Sequence, residues 1–305
     1  PERRNLLPYS EDFSDSSWID SGVSITDNNA TSPDGTLNAS TINFSASSQY
    51  LLRNQNITFA IGDSISISIY ANTSTVGFLS FGGATPSGTD VANVEILSGG
   101  FYRHTVTRTF IESGISVQFI IFDAAIGNYV IWGAQIEEGS YATSYIPNFG
   151  AAAGVTRNQD IFTRDGIGSL INSTEGVLFV EMAALSNDGT SKYITLSNGT
   201  NTKRIIIATT STSNQVRVQV VDTSSQIEIF NTLSDITTFN KLAFSYKQNE
   251  FKFYVNGVLV GTDTSGSVPS GLNVLKFSNA DNNVPFNGKV KQLQVYKTAL
   301  TDEQL

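Results

Sequence analysis

Cysteine is missing from all 305 residues, and histidine occurs once, at His104. Without cysteine the chain has neither a disulfide framework nor a thiolate-ligated zinc site, so core packing must hold it together. A lone imidazole cannot build a His-pair metal centre, and any Ser-His-Asp arrangement would have to use His104, which no G-x-S-x-G turn accompanies. Charge is sparse as well: charged residues make up 15% of the chain, with 18 basic against 27 acidic, for a formal net charge of −9. No Lys/Arg-rich run follows Arg3-Arg4, which argues against binding nucleic acid by phosphate neutralisation. No run of about 18 apolar residues is present, so membrane insertion is not expected. No charged-then-apolar export segment opens the sequence as given. Motif-bearing residues follow Pro1 at once, and the expectation is a piece of a longer polypeptide, for which a missing signal says little about destination.

Hydrophobic residues make up 40% of the chain, which is enough for ordered cores, and the surface is expected to be dressed in Ser, Thr and Asn. The length exceeds the roughly 250–300 residues at which single cores stop growing, so two domains are expected. Helical periodicity is nearly absent, while short alternating runs bounded by Gly, Asn, Asp and Ser recur throughout. In Asp63 to Tyr70, Ile65, Ile67 and Ile69 face one way, and Ser64, Ser66, Ser68 and Tyr70 the other. In Tyr129 to Glu137, strict alternation puts Val130, Trp132, Ala134 and Ile136 on one face, with Trp132 turned inward. Asn256-Gly257 between two apolar runs predicts a two-residue hairpin with positive φ at both positions. The fold class expected is all-β, two tandem antiparallel β-sandwiches of jelly-roll type: residues 1–150, a linker or edge strand over 151–174, and residues 175–305.

Several separated motifs carry a resemblance. Arg3 to Leu7, Tyr9 to Phe13, Trp18, Pro33-Asp34-Gly35-Thr36, Tyr102-Arg103 and the closing stretch from Ile131 to Pro147 with Val155-Thr156-Arg157 stand in the order of a carbohydrate-binding-module-like domain. The resemblance is to the domain of that kind found in many bacteriophage tail-fibre and virion adhesion proteins. The second half, from about Glu175 to Leu305, resembles a laminin-G or concanavalin A-like jelly roll. Its motifs are an EGVLFVE opening, the KLAFSY and FKFYVNGVLV pair, and a closing VKQLQVYKTALTDEQL in which Thr301 caps a short helical turn. The resemblance implies non-catalytic attachment to a host-surface glycan or polysaccharide, on the virion surface and beside other virion proteins, with trimers common in fibres. No heptad repeat is present to drive such assembly. A structural or decoration protein that binds no sugar, and the binding portion of a polysaccharide-degrading enzyme, stand as alternatives.

The chemistry of catalysis is not visible. Glycoside hydrolysis needs paired carboxylates, and the E-x-D-x-x-E strand of concanavalin A-like glucanases has no counterpart here. There is no phosphate-binding glycine turn, and no short repeat of the kind that builds depolymerase β-helices. The acidic residues of the second half, among them Asp188, Asp235 and Asp263, sit where turn formers sit. An enzyme is therefore not expected. Trp18, Tyr50, Tyr70 and Tyr254 are the candidates for stacking on a sugar. Trp18 reads equally as a core plug, Tyr70 as part of a solvated sheet face, and Tyr254, opposite in facing to Phe253, is expected to point outward. No cofactor is required. The resemblance allows a structural calcium ion, for which Glu11, Asp34 and Glu137 are the candidate ligands, with Asp281-Asn282-Asn283 a second oxygen-rich loop. His104 is expected to be a satisfied surface residue.

Overall fold

Alternation of apolar and polar side chains becomes two separate stacks of antiparallel sheets in the computed structural model, which describes residues 2–122 and 125–304. The chain divides into two compact units, Glu2–Gln159 and Asp160–Leu305. Among the described residues there is no α-helix.

The first unit runs β1 (Arg3–Asn5), β2 (Trp18–Ser21), β3 (Ser24–Ala30), β4 (Ala39–Phe44), β5 (Tyr50–Phe59), β6 (Ser64–Ala71), β7 (Leu79–Phe81), β8 (Gly88–Ile96), β9 (Tyr102–Phe110), β10 (Gly114–Phe122), β11 (Gly127–Glu138) and β12 (Val155–Arg157). A four-stranded sheet, β2-β5-β10-β7, faces a six-stranded one, β3-β4-β11-β6-β9-β8, and β1 pairs with β12. Ile65, Ile67 and Ile69 of β6, at most 1% exposed, meet Leu51, Val117, Phe119 and Ile121 from the opposite sheet in one continuous core. Each such side chain contributes about 1.5–3 kcal/mol by leaving water. His104 is buried in this core rather than at the surface, 2% exposed, packed against Phe78, with Nε2 2.6 Å from the Thr73 carbonyl. Burial lowers its pKa, against the pull of that carbonyl.

Strict alternation fails in β11. The register with β6 slips between Trp132 and Gln135, and Gly133 takes φ +65°. One extra residue in a strand flips everything after it to the other face. Ile131, Ala134 and Ile136 therefore point into the core, while Trp132, paired with Tyr70, and Gln135 and Glu137, paired with Ser68 and Ser66, point away from it. The inward placement of Trp132 expected from the sequence is thus corrected by a bulge. A Cβ at Gly133 would lie 3.2 Å from the Tyr70 ring and 3.3 Å from that of Tyr145, in a backbone conformation that L side chains resist. Gly133→Ala is expected to cost about 1–3 kcal/mol, measurable as a shift of the first unit's unfolding midpoint.

The face that the bulge exposes does not stay wet. The segment after β11 lies over it, pinned through Thr143, Tyr145, Ile146 and Asn148. Glu137 accepts from the Thr143 N–H at 2.8 Å, the Thr143 hydroxyl at 2.5 Å and the Gln135 amide at 2.6 Å. Ile146 N–H donates to Gln135 Oε1 at 2.7 Å, and Asn5 Nδ2 to the Ile146 carbonyl at 2.7 Å. Ser66 and Ser68, expected in solvent, are 1% exposed, and Ser66 shares a 2.7 Å hydroxyl pair with Thr107.

The second unit runs β13 (Thr163–Arg164), β14 (Glu175–Ala184), β15 (Tyr193–Ser197), β16 (Lys203–Thr209), β17 (Gln215–Asp222), β18 (Ser224–Thr232), β19 (Asn240–Lys247), β20 (Glu250–Val255), β21 (Val258–Asp263), β22 (Val274–Lys276) and β23 (Gly288–Tyr296). Six strands, β13-β22-β15-β16-β17-β18, face five, β21-β20-β19-β14-β23. Ile194, Ile205, Ile207, Val218, Phe244 and Phe253, all 0% exposed, interleave between them. The Asn256-Gly257 hairpin forms as the dipeptide predicts, with φ 51° and 80° and Val255 opposite Val258. The last described residues form a turn closed by Gln304 N–H to the Thr301 carbonyl, with no helix among them.

Candidate functional site

The outer face of the second unit's six-stranded sheet is where polar, planar and aromatic side chains gather, with the chain after β22 laid over part of it. Its residues follow from period-two alternation: with Ile194, Ile205, Ile207 and Val218 turned inward, the residues between them must turn out. The register aligns them in rows. Tyr193, Ala208, Arg217 and Phe230 form one, and Thr195, Ile206, Gln219 and Glu228 the next. Beyond lie Ser197, Arg204 and Val221.

The floor is apolar, since Ile206 and Ala208 are 0% exposed although they belong to the outer face. Arg217 is held at both ends of its fork. Its Nη2 donates to the Tyr193 hydroxyl at 2.6 Å, its Nη1 to Glu228, and its guanidinium lies 5.6 Å from the centre of the Tyr193 ring. A cation fixed in this way presents planar donors beside an aromatic face. Phe230, 47% exposed, closes the row. One wall is the chain after β22. Thr195 Oγ1 donates to the Ser278 carbonyl at 2.7 Å, and Ala280 N–H to Asn201 Oδ1 at 3.1 Å. Two polar atoms of this face are buried without a hydrogen-bond partner, Gln219 Oε1 and Arg204 Nε. Unsatisfied buried groups cost about 1–3 kcal/mol each, and such spots are where a bound group compensates them.

The residues singled out in the sequence are scattered by the structure. Trp18 is a core plug, 5% exposed, between Phe13 and Phe119, with its indole N–H donated to the Tyr9 carbonyl at 3.2 Å. Tyr254 does face away from the sandwich core, opposite to Phe253, but is 2% exposed instead of open. Leu300 packs on its cluster, and its hydroxyl donates to Asp302 at 2.6 Å. It lines a cleft of about 180 Å³ with Phe179 and Lys241, small beside the ~300–1,000 Å³ of typical ligand sites. Tyr70 is half-buried under Arg103 and beside Trp132 and Tyr145, and burial raises its pKa. Tyr50 is likewise partly open, edge-on to Phe122 at 6.3 Å on the outer face of the four-stranded sheet.

Of the three candidate calcium ligands, Glu11 and Asp34 lie near one another, but the three do not form one group. Glu11 accepts from the Tyr145 hydroxyl at 2.9 Å and Asn38 Nδ2 at 3.0 Å. Burial raises its pKa, and the charge of nearby Asp34 adds to the rise. The Trp132 indole N–H lies near enough to favour that carboxylate but closes no hydrogen bond of its own. Asp34 is an Asx-turn residue bonded to Ser32 and Thr36, and Glu137 spends its lone pairs on Thr143 and Gln135. Among the described residues no three acidic or imidazole side chains form a group able to hold a metal ion. Asp188, Asp235 and Asp263 each accept the backbone N–H two residues on, the turn-forming role.

Sequence reasoning passed over Arg217, Arg204 and Gln219 and counted Glu228 among the turn-forming acids, whereas it lies within β18 and pairs with Arg217. Their signal was present in QVRVQVVD and QIEIFN, where each polar residue alternates with a core one. Only the strand order places Arg217 beside Tyr193 and Glu228.

A family model described as the concanavalin A-like lectin/glucanases superfamily matches residues 178–305, and the second unit has that jelly-roll sandwich fold. No curated protein matches the chain. Solved structures similar to it include sheep galectin-11 in complex with glycerol, at 13% identity and TM-score 0.31, covering 46% of this chain and 98% of that one. Caenorhabditis elegans galectin LEC-6 matches at 13% identity and TM-score 0.32, covering 46% and 91%. CG-16, a homodimeric agglutinin from chicken liver, matches at 12% identity and TM-score 0.32, covering 45% and 99%.

Proposed function

We propose that the chain is a non-catalytic glycan-binding module and that a saccharide lies on the outer face of the second unit's six-stranded sheet. The observation that carries this reading is Arg217, clamped between Tyr193 and Glu228 over the apolar floor of Ile206 and Ala208. A sugar ring offers a C–H face for Tyr193 and Phe230 and hydroxyl oxygens for the guanidinium. The lectin/glucanase description of the family matching residues 178–305 supports the same class of ligand. Against hydrolysis stands the pairing of Glu228 with Arg217, where inverting or retaining cleavage needs two carboxylates free to act. The face is shallow, so single-site affinity is expected to be weak and useful through repetition. The setting that fits is attachment to host-surface carbohydrate by a virion appendage such as a phage fibre.

Arg217→Ala is expected to weaken glycan binding by about tenfold or more, roughly 1.4 kcal/mol. The Arg217 and Glu228 side chains are mostly buried, 20% and 31% exposed, so the variant also leaves Glu228 unpaired and its thermal midpoint is measured beside the wild type's to separate lost binding from lost fold. A printed glycan array, wild type against variant, reads the effect. Equal array signals from the two proteins would place binding elsewhere.

A further inference from the structure

We propose that the saccharide taken by this face is acidic and that Arg204 receives its carboxylate, as on a uronic or sialic acid residue. The inference rests on the glycan-binding reading above and adds the ligand's charge. Arg204 lies on the outer face of β16, two residues from Ile206, and so stands two rows from the clamped Arg217, with the Ile206 and Gln219 row between them. Its guanidinium makes one hydrogen bond among the described residues, Nη1 to Asn201 Oδ1 at 2.6 Å, a neutral partner. Its Nε is buried and unpartnered, so Nη2 is the donor left for one oxygen of a planar carboxylate, and the side-on pair that adds Nε forms only once the side chain shifts to uncover it.

The other cations of the second unit with a carboxylate at hand have taken it. Arg217 pairs with Glu228, Lys203 with Asp222 at 3.0 Å, and Lys192 with Asp188 at 2.8 Å. Arg204 forms no ion pair among the described residues, although it is half-buried and near enough to Arg217 for the like charges to repel. Lys276 lies on the same face, with Nζ donated to the Ala280 carbonyl at 2.7 Å. Arg204, Arg217 and Lys276 thus stand against Glu228 and the nearby Asp281. The face carries excess positive charge in a chain of net −9. Positive charge kept against the overall balance, on a surface with an unpaired donor, is complementary to an anion. Gln219 Oε1, the unpartnered acceptor in the adjoining row, is matched to a hydroxyl of the same saccharide.

The test uses the whole chain on an array in which each neutral oligosaccharide is printed beside its uronic- or sialic-acid-bearing counterpart and beside a sulfated counterpart. The expected result is at least tenfold stronger binding to the carboxylated member of a pair, weakening as salt rises. In Arg204→Gln that ratio should collapse towards one, and in Arg204→Lys, which keeps the charge but not the fork, it should fall part-way. Amide spectra of both variants confirm the fold. Equal binding to neutral and carboxylated members, a preference for the sulfated member, or a ratio unchanged in Arg204→Gln overturns the carboxylate assignment and leaves the glycan-binding reading standing. Absence of binding to every saccharide overturns both.

Discussion

Glu137→Ala is expected to destabilise the first unit by about 3–5 kcal/mol, close to the whole stability of a marginal domain. Glu137 is 0% exposed and has three donors aimed at it from Thr143 and Gln135. Truncation leaves the Thr143 N–H, the Thr143 hydroxyl and one Gln135 N–H buried without acceptors, at about 1–3 kcal/mol apiece. It also frees the segment whose Tyr145 ring lies 4.5 Å from that of Trp132. Both tryptophans of the chain, Trp18 and Trp132, belong to this unit. Tryptophan emission during denaturant unfolding therefore reads it selectively. The midpoint should fall sharply, while the second unit's transition, followed by far-ultraviolet circular dichroism, holds its place. Coincident loss of both transitions would show that Glu137 holds more than its own sandwich.

Asp188→Asn should have an effect of similar size on the second unit. Lys192 is 2% exposed, and its ammonium is held by Asp188 at 2.8 Å and by the Thr190 hydroxyl at 2.8 Å. Removing the carboxylate's charge strands a buried cation, a change worth about 3–5 kcal/mol. The same pair predicts acid sensitivity. Burial by itself would raise the Asp188 pKa, but the Lys192 ammonium and the hydroxyls of Ser186 and Thr190 outweigh it and hold the carboxyl well below its usual range. A carboxylate depressed in the folded state stabilises fully above its unfolded pKa near ~3.9, and that stability is lost as pH falls through the folded value. The second unit should thus weaken below about pH 4, and the Asp188→Asn protein should lose that slope. A variant with wild-type acid dependence would contradict the assignment.

The two sandwiches were legible because isoleucine and valine at every second position leave little choice of structure. DSISISIY and QVRVQVVD announce their buried faces without knowledge of their neighbours. What the sequence could not reveal was one inserted residue. Gly133 looks like any strand glycine, yet it bulges β11, so that Trp132 lies on the same face as Gln135 and Glu137 instead of the opposite one. Coverage was equally hidden. Tyr254 faces outward as its spacing says, but Leu300 and Asp302 lie over it, and Ser66 and Ser68 disappear beneath the segment after β11. Periodicity reports which side a residue takes and is silent on what later folds across that side. The Arg217 clamp needs four strands in register, and strand order is a long-range property that no local pattern encodes.

Amide chemical-shift mapping with a bound oligosaccharide tests the central claim most directly. The account predicts perturbations concentrated at Tyr193, Ala208, Arg217, Gln219 and Phe230, the rows that the register brings together. Perturbations confined to the first unit, for instance around Tyr50 and Phe122, with the β15 to β18 face unmoved, would contradict it.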